Sequence, residues 1–308
     1  MKKVKLLGIL ALSAVVLGAC SSVPSQSGAN SDKTEQTDKK EESVKEKVTK
    51  DAETLLDAVL TTDIAKFKKI YGETYDKWTE AVFAVQTSEK VKDDGLTPAS
   101  TYSVQWHADF PIETPEETIT GFLKVRRKMF QEIGSYSIKD VKLDESGSSA
   151  TVTFTSKKLH SKGLAASTRD VLTTLIGGID NLGKYNTAGS NVDIKRYQTL
   201  ISYWIFEHLF RHDFTIYNDV DPNLAYTPFT TGDFDTEIKL TKDKEGNWLI
   251  SQEDYRTLAT ELIDNTEGYE TVVRSNVSKT NDKDKSSDKS TGNSTDKSSD
   301  KKDKSSIW

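Results

Sequence analysis

Tyr136-Ser-Ile-Lys-Asp-Val-Lys-Leu-Asp-Glu-Ser-Gly-Ser-Ser-Ala-Thr-Val-Thr-Phe-Thr-Ser-Lys-Lys158 is the stretch that decides the fold class. Val152 and Phe154 alternate with Thr151, Thr153 and Thr155, which is the period of a half-buried strand, and residues 136–143 supply a partner of similar length. Between them Asp144-Glu145-Ser146-Gly147 has the composition of a turn. The stretch is therefore expected to be a β-hairpin, with 136–143 against 150–158. A second hairpin is expected from 235–240 and 248–250, turning at Lys244-Glu245-Gly246-Asn247.

Helical spacing surrounds both hairpins. Val44, Val48, Leu55, Leu56 and Val59 open the pattern, followed by a short helix at Ile64, Phe67 and Ile70 and another at Tyr75, Trp78, Val82 and Phe83. Residues 102–110 alternate loosely and are expected to form a strand. The next helix has the strongest start signal in the chain: Thr114 as cap, Pro115 at the first helical position and Glu117 closing a capping box. Its apolar stripe is Ile119, Phe122, Leu123, Met129, Phe130 and Ile133, and Gly134 ends it. Ser167 with Asp170 is expected to cap a helix bearing Val171, Leu172, Leu175, Ile176, Ile179 and Leu182. Ser190 with Asp193 is expected to cap one bearing Tyr197, Ile201, Trp204, Ile205 and Leu209. Ser251 and Asp254 start a last helix with Tyr255, Leu258, Leu262 and Ile263. Helices packed on antiparallel β-hairpins make an α+β fold, one large domain or two small ones, within 44–273.

Outside that region the composition changes. Residues 20–43 hold almost no large apolar side chain, and 274–308 repeat an Asp-Lys-Ser-Ser theme, as in Asp284-Lys285-Ser286-Ser287. Both are expected to be disordered tethers, because neither can bury enough apolar surface to offset chain entropy. The chain has one cysteine, Cys20. It follows Lys2, Lys3 and Lys5 and an apolar run of about 14 residues, shorter than the roughly 20 that span a bilayer. Leu17-Gly18-Ala19-Cys20 resembles a bacterial lipobox. That resemblance implies a signal peptide over 1–19, cleavage between Ala19 and Cys20, and lipid on the Cys20 thiol. The mature chain would then be anchored to the extracytoplasmic face of the cell membrane, with no internal disulfide to stabilise it.

With its lipobox, polar tether, paired hairpins and the stretches Val141 to Phe154 and Lys242 to Ile250, the chain resembles a family of Gram-positive surface lipoproteins without an assigned reaction. The hairpins also resemble those of NTF2-like and cystatin-like α+β domains, in which a curved antiparallel sheet packs on helices. The resemblance covers most of 114–265 and implies a fold and an address, with no active site to carry over.

Candidate chemistry is sparse. His208 and His212 stand four apart on one helical face, as a zinc pair would, with Asp213, Asp219 and Asp221 following as possible oxygen ligands. Glu207 precedes the first histidine instead of lying between the two, so the metalloprotease motif is absent. The same histidines continue the apolar stripe of their helix, where ordinary boundary residues also sit. Lys124-Val125-Arg126-Arg127-Lys128 concentrates positive charge, but around a helix its members point in several directions. Gly177-Gly178 interrupts a helical pattern and is expected to allow a kink or close packing. His160-Ser161, adjacent in sequence, is no evidence of a nucleophile and base. No Gly-x-Ser-x-Gly elbow, P-loop or dinucleotide fingerprint occurs.

The formal charge is −6, and loss of the three leader lysines would leave it near −9, which argues against a general nucleic-acid role. The expectation is a non-enzymatic binding or interaction module of the cell envelope, with no cofactor. Its partners would be the membrane, through Cys20, and an envelope protein, peptide or small molecule held near Trp204. The alternatives are a metal-dependent envelope hydrolase using His208 and His212, and a solute-binding lipoprotein of a transporter. The second of these usually shows strand–helix alternation and a parallel sheet.

Overall fold

The computed structural model describes residues 31–105, 111–211 and 229–266. The apolar periodicities noted above become nine helices and six strands among these residues: α1 (Ser31–Leu60), α2 (Phe67–Tyr71), α3 (Tyr75–Asp93), α4 (Ala99–Tyr102), α5 (Pro115–Gln131), β1 (Tyr136–Leu143), β2 (Ser149–Ser156), β3 (Leu159–His160), α6 (Ser161–Leu175), α7 (Ile179–Ala188), α8 (Val192–Phe210), β4 (Phe234–Lys242), β5 (Trp248–Leu249), α9 (Gln252–Glu261) and β6 (Ile263–Asp264). The fold is α+β.

The main sheet is antiparallel, in the order β1-β2-β4-β5. Ala150, Val152 and Phe154 of β2 lie opposite Leu240, Ile238 and Thr236 of β4, so one face of the two central strands is wholly buried. Each such large side chain withdrawn from water contributes roughly 1.5–3 kcal/mol. Helix α1 packs against β1, β2 and β5. Asp51 of α1, only 4% exposed, accepts a hydrogen bond from the Trp248 backbone N–H at 2.9 Å, joining the helix to the edge of the sheet. Helix α5 is the centre of the helical layer, packed on α1, α3 and α8. Aromatic side chains join α2, α3 and α9: Phe67 stacks on Tyr71 at 4.0 Å, Trp78 meets Tyr255 edge-on at 5.1 Å, and the Tyr75 and Tyr255 hydroxyls are 2.8 Å apart.

Both hairpin loops use the same device. Asp144 accepts from the backbone N–H groups of Ser148 (2.9 Å) and Ser149 (3.1 Å), and Gly147 takes a positive φ of 64°. The Ser146 hydroxyl, together with those backbone donors, holds the Asp144 carboxyl well below the usual carboxylate range. In the second loop Asp243 accepts from the Asn247 N–H at 2.7 Å, and Gly246 has φ 84°.

Four local expectations are corrected. Residues 102–104 do not begin a strand: Tyr102 ends α4, and Val104 makes only an isolated bridge to Glu113. Ser167 is not a cap. Helix α6 begins six residues earlier with His160 as its cap, and the Ser167 hydroxyl donates inside the helix to Gly163 O at 3.1 Å. The stripe through Leu182 belongs to two helices, because Gly177 and Gly178, with φ 82° and 110°, break it instead of kinking it. Asn191, not Ser190, caps α8, accepting from the Asp193 and Ile194 N–H groups. At the other end of the fold α1 is already helical at Ser31, ahead of the apolar spacing that begins at Val44. Lys45 and Glu41 form an i,i+4 pair at 2.9 Å on this helix, of the kind that adds about 0.2–0.5 kcal/mol to an exposed turn.

Candidate functional site

The capping box drawn from the sequence at Thr114 is present in full and fixes the first turn of α5. Just before it, Glu113 is pinned by two backbone hydrogen bonds with Val104, 2.8 and 2.9 Å long. This places the Glu113 side chain against the C-terminal half of α8, which packs across α5. Glu207 and His208 arrive there from α8. Glu113 Oε1 lies 3.4 Å from His208 Nε2, and the three residues offer ligand-type atoms within 4.8 Å of one another.

Burial is nearly complete on the α8 side: Glu207 is 5% exposed and His208 8%. The His208 ring packs on Trp204 with centroids 4.2 Å apart. Each carboxylate has one oxygen bonded by a residue outside the cluster. Thr118 Oγ1 donates to Glu113 Oε2 at 3.2 Å, and Arg211 Nη1 donates to Glu207 Oε1 at 2.6 Å. Glu207 Oε2 has no hydrogen-bond partner among the described residues. Space for this carboxylate comes from Gly121 in the middle of α5, where an added Cβ would stand 2.0 Å from Glu207 Oε2.

The two carboxyls titrate in opposite directions. Burial works to raise Glu113, but its hydrogen bond and charge interaction with His208 and its bond from Thr118 outweigh this and leave it below its ordinary value. Burial raises Glu207, the neighbouring Glu113 charge adds to that, and Arg211 only partly offsets it. Two acids of the same type are thus driven apart by their surroundings.

Of the residues singled out from the sequence, His208 is in this cluster. His212, Asp213, Asp219 and Asp221 lie outside the described residues, as do Ala19 and Cys20. Trp204 is buried beside His208 and does not line the open groove of about 540 Å3 between α3 and α5, whose walls include Thr87, Val91, Glu116 and Thr120. His160 acts through Nδ1 as a helix cap at 2.8 Å from the Gly163 N–H, a structural role. The basic run disperses as its helical spacing requires. Arg127 turns inward to Asp76 (2.6 Å) and Thr79 (2.8 Å), Arg126 lies near Phe122, and Lys124 and Lys128 face solvent. Glu113 was missed by the sequence reading, because its approach to α8 depends on a backbone bridge with no local signature.

No protein-family model matches the chain, and no curated protein sequence matches it. A crystal structure of YcdA, a candidate lipoprotein of Bacillus subtilis, is similar at a TM-score of 0.41 and 17% sequence identity. The match covers 77% of this chain and 60% of that one. No helix among the described residues is long and apolar enough to cross a membrane.

Proposed function

We propose that this is a lipid-anchored extracytoplasmic protein whose folded part serves as a binding or interaction module of the cell envelope. The observation that carries the reading is Cys20: the only cysteine of the chain follows Leu17-Gly18-Ala19 at the end of a short apolar run with a lysine-rich start. A thiol so placed is suited to lipid attachment, and two or more acyl chains would hold a soluble domain durably at about 0.8 kcal/mol per buried methylene. The laying of α1 against the antiparallel sheet supports a cystatin-like or NTF2-like version of the α+β fold. The antiparallel sheet order also favours this reading over a transporter's solute receptor, for which a parallel sheet is usual.

Metabolic labelling with a palmitate analogue tests the anchor. The native chain should take up label and fractionate with membranes, whereas Cys20→Ser should take up none and appear in the soluble fraction. Label retained on Cys20→Ser, or none on the native chain, refutes the anchor. For the binding role, envelope extracts passed over the immobilised chain should yield a partner that a groove substitution, Thr120→Arg, displaces. Capture unaffected by that change removes the groove between α3 and α5 from the reading.

A further inference from the structure

The arrangement of Glu113, Glu207 and His208 goes beyond anchoring and binding at the surface. We propose that these three side chains form a binding site for a divalent transition cation of the zinc type, closed on one side by Trp204 and Gly121.

Three features support it. First, the Glu113 Oε1 to His208 Nε2 separation of 3.4 Å is the edge of a tetrahedron whose metal–ligand bonds are about 2.1 Å, the length of Zn–N and Zn–O bonds. All three residues offer ligand-type atoms within 4.8 Å of one another, so the set would contract round a bound ion. Second, the donors and acceptors are divided as a metal site divides them. Thr118 holds Glu113 Oε2 and leaves Oε1 toward His208, while Arg211 holds Glu207 Oε1 and leaves Oε2 without a hydrogen-bond partner among the described residues. Outer hydrogen bonds of this kind orient ligating carboxylates. Third, a buried carboxylate oxygen with no donor is a costly state. Here that oxygen belongs to a residue 95% buried, and α5 has a glycine where a side chain would exclude it.

Arg211 is the natural competitor for Glu207. Its side chain is 47% exposed, so it can keep Oε1 while Oε2 turns to a cation, or swing out. Imidazole with two carboxylates suits zinc or manganese better than the softer copper(I), which prefers sulfur ligands.

The test uses the full chain extracted in detergent, stripped with chelator, and titrated with zinc chloride and separately with manganese chloride by calorimetry. One zinc per chain should bind saturably at micromolar concentration or tighter. Glu113→Gln should weaken binding at least tenfold, and His208→Gln by as much or more, with far-ultraviolet circular dichroism unchanged. Absence of 1:1 saturable uptake of either metal by the native chain overturns the proposal whatever the variants do. So does uptake that both folded variants retain in full, which would place the metal elsewhere on the chain.

Discussion

Gly121→Ala sets two effects of opposite sign against each other at the junction of α5 and α8. In a helix interior alanine is favoured over glycine by about 1 kcal/mol, so on propensity alone the substitution stabilises. The new Cβ, however, would stand 2.0–2.2 Å from all three atoms of the Glu207 carboxylate. That carboxylate is the far end of a flexible side chain, but it is 95% buried and bonded to Arg211 at 2.6 Å, so it can retreat only by giving up the pair. Overpacking costs about 1–3 kcal/mol, and a charged hydrogen bond is worth about 1.5–3 kcal/mol, taken here at the low end because Arg211 is half-exposed. The expected balance is a net destabilisation of about 2 kcal/mol, or a fall in Tm of about 4–8 °C for a domain of this size.

The decisive measurement is a double-mutant cycle by urea denaturation followed by tryptophan fluorescence. In a Glu207→Ala background the obstacle is gone, and Gly121→Ala should then stabilise by about 0.5–1 kcal/mol. The sign of the same substitution reverses with the residue 86 positions away. A Gly121→Ala chain more stable than the native one would refute the close approach, and with it the crowding of the proposed cation site.

Asp51→Ala should cost about 2 kcal/mol, since it strips the buried Trp248 N–H of its acceptor, and Asp51→Asn should restore most of that; urea midpoints of the three chains check it. Thr114→Ala, which removes the hydroxyl that accepts from the Glu117 N–H, should lower stability by about 1 kcal/mol in the same assay. The opposite carboxyl shifts predict opposite pH trends, measured in chelator so that no metal contributes. Glu207, raised in the fold, binds its proton more tightly folded than unfolded, so the native chain should lose stability relative to Glu207→Gln as pH rises through the range just above 4.5. Glu113, lowered in the fold, does the reverse: its contribution is full above its unfolded value and is lost as pH falls through the folded one, so the native chain should gain on Glu113→Gln as pH rises. Equal pH profiles for the two variants would contradict the assignment.

Elements whose signals are local were legible in the sequence. The hairpin at 136–158 was readable because Thr alternation and an Asp-x-x-Gly turn are both properties of adjacent residues, and β1 came out with its expected bounds. The capping box at Thr114 and the Ser251 cap were readable for the same reason. The helix starts at 161 and 192 were not: His160, seldom a cap residue, opens the first, and Asn191 stands one residue beyond the serine expected to open the second. Strand pairing across the long insertion was equally hidden. Nothing near Phe154 announces that Thr236 will lie opposite it after α6, α7 and α8 have intervened.

The candidate site was half legible, and the half that was missed left a trace. His208 stood out by residue type, but its spacing to His212 drew attention along α8, whereas its partner Glu113 lies across the fold, on the residue before the α5 cap. No periodicity encodes that contact. Gly121, however, stood in the interior of α5, off the face that carries Ile119, Phe122 and Leu123, at a position where glycine weakens a helix by about 1 kcal/mol. Such a residue in the middle of a well-capped helix requires a neighbour that needs the room, and the neighbour is the Glu207 carboxylate. The absent side chain at 121 therefore carries more information about the site than the two histidines do, because it records a close approach that only a folded chain makes.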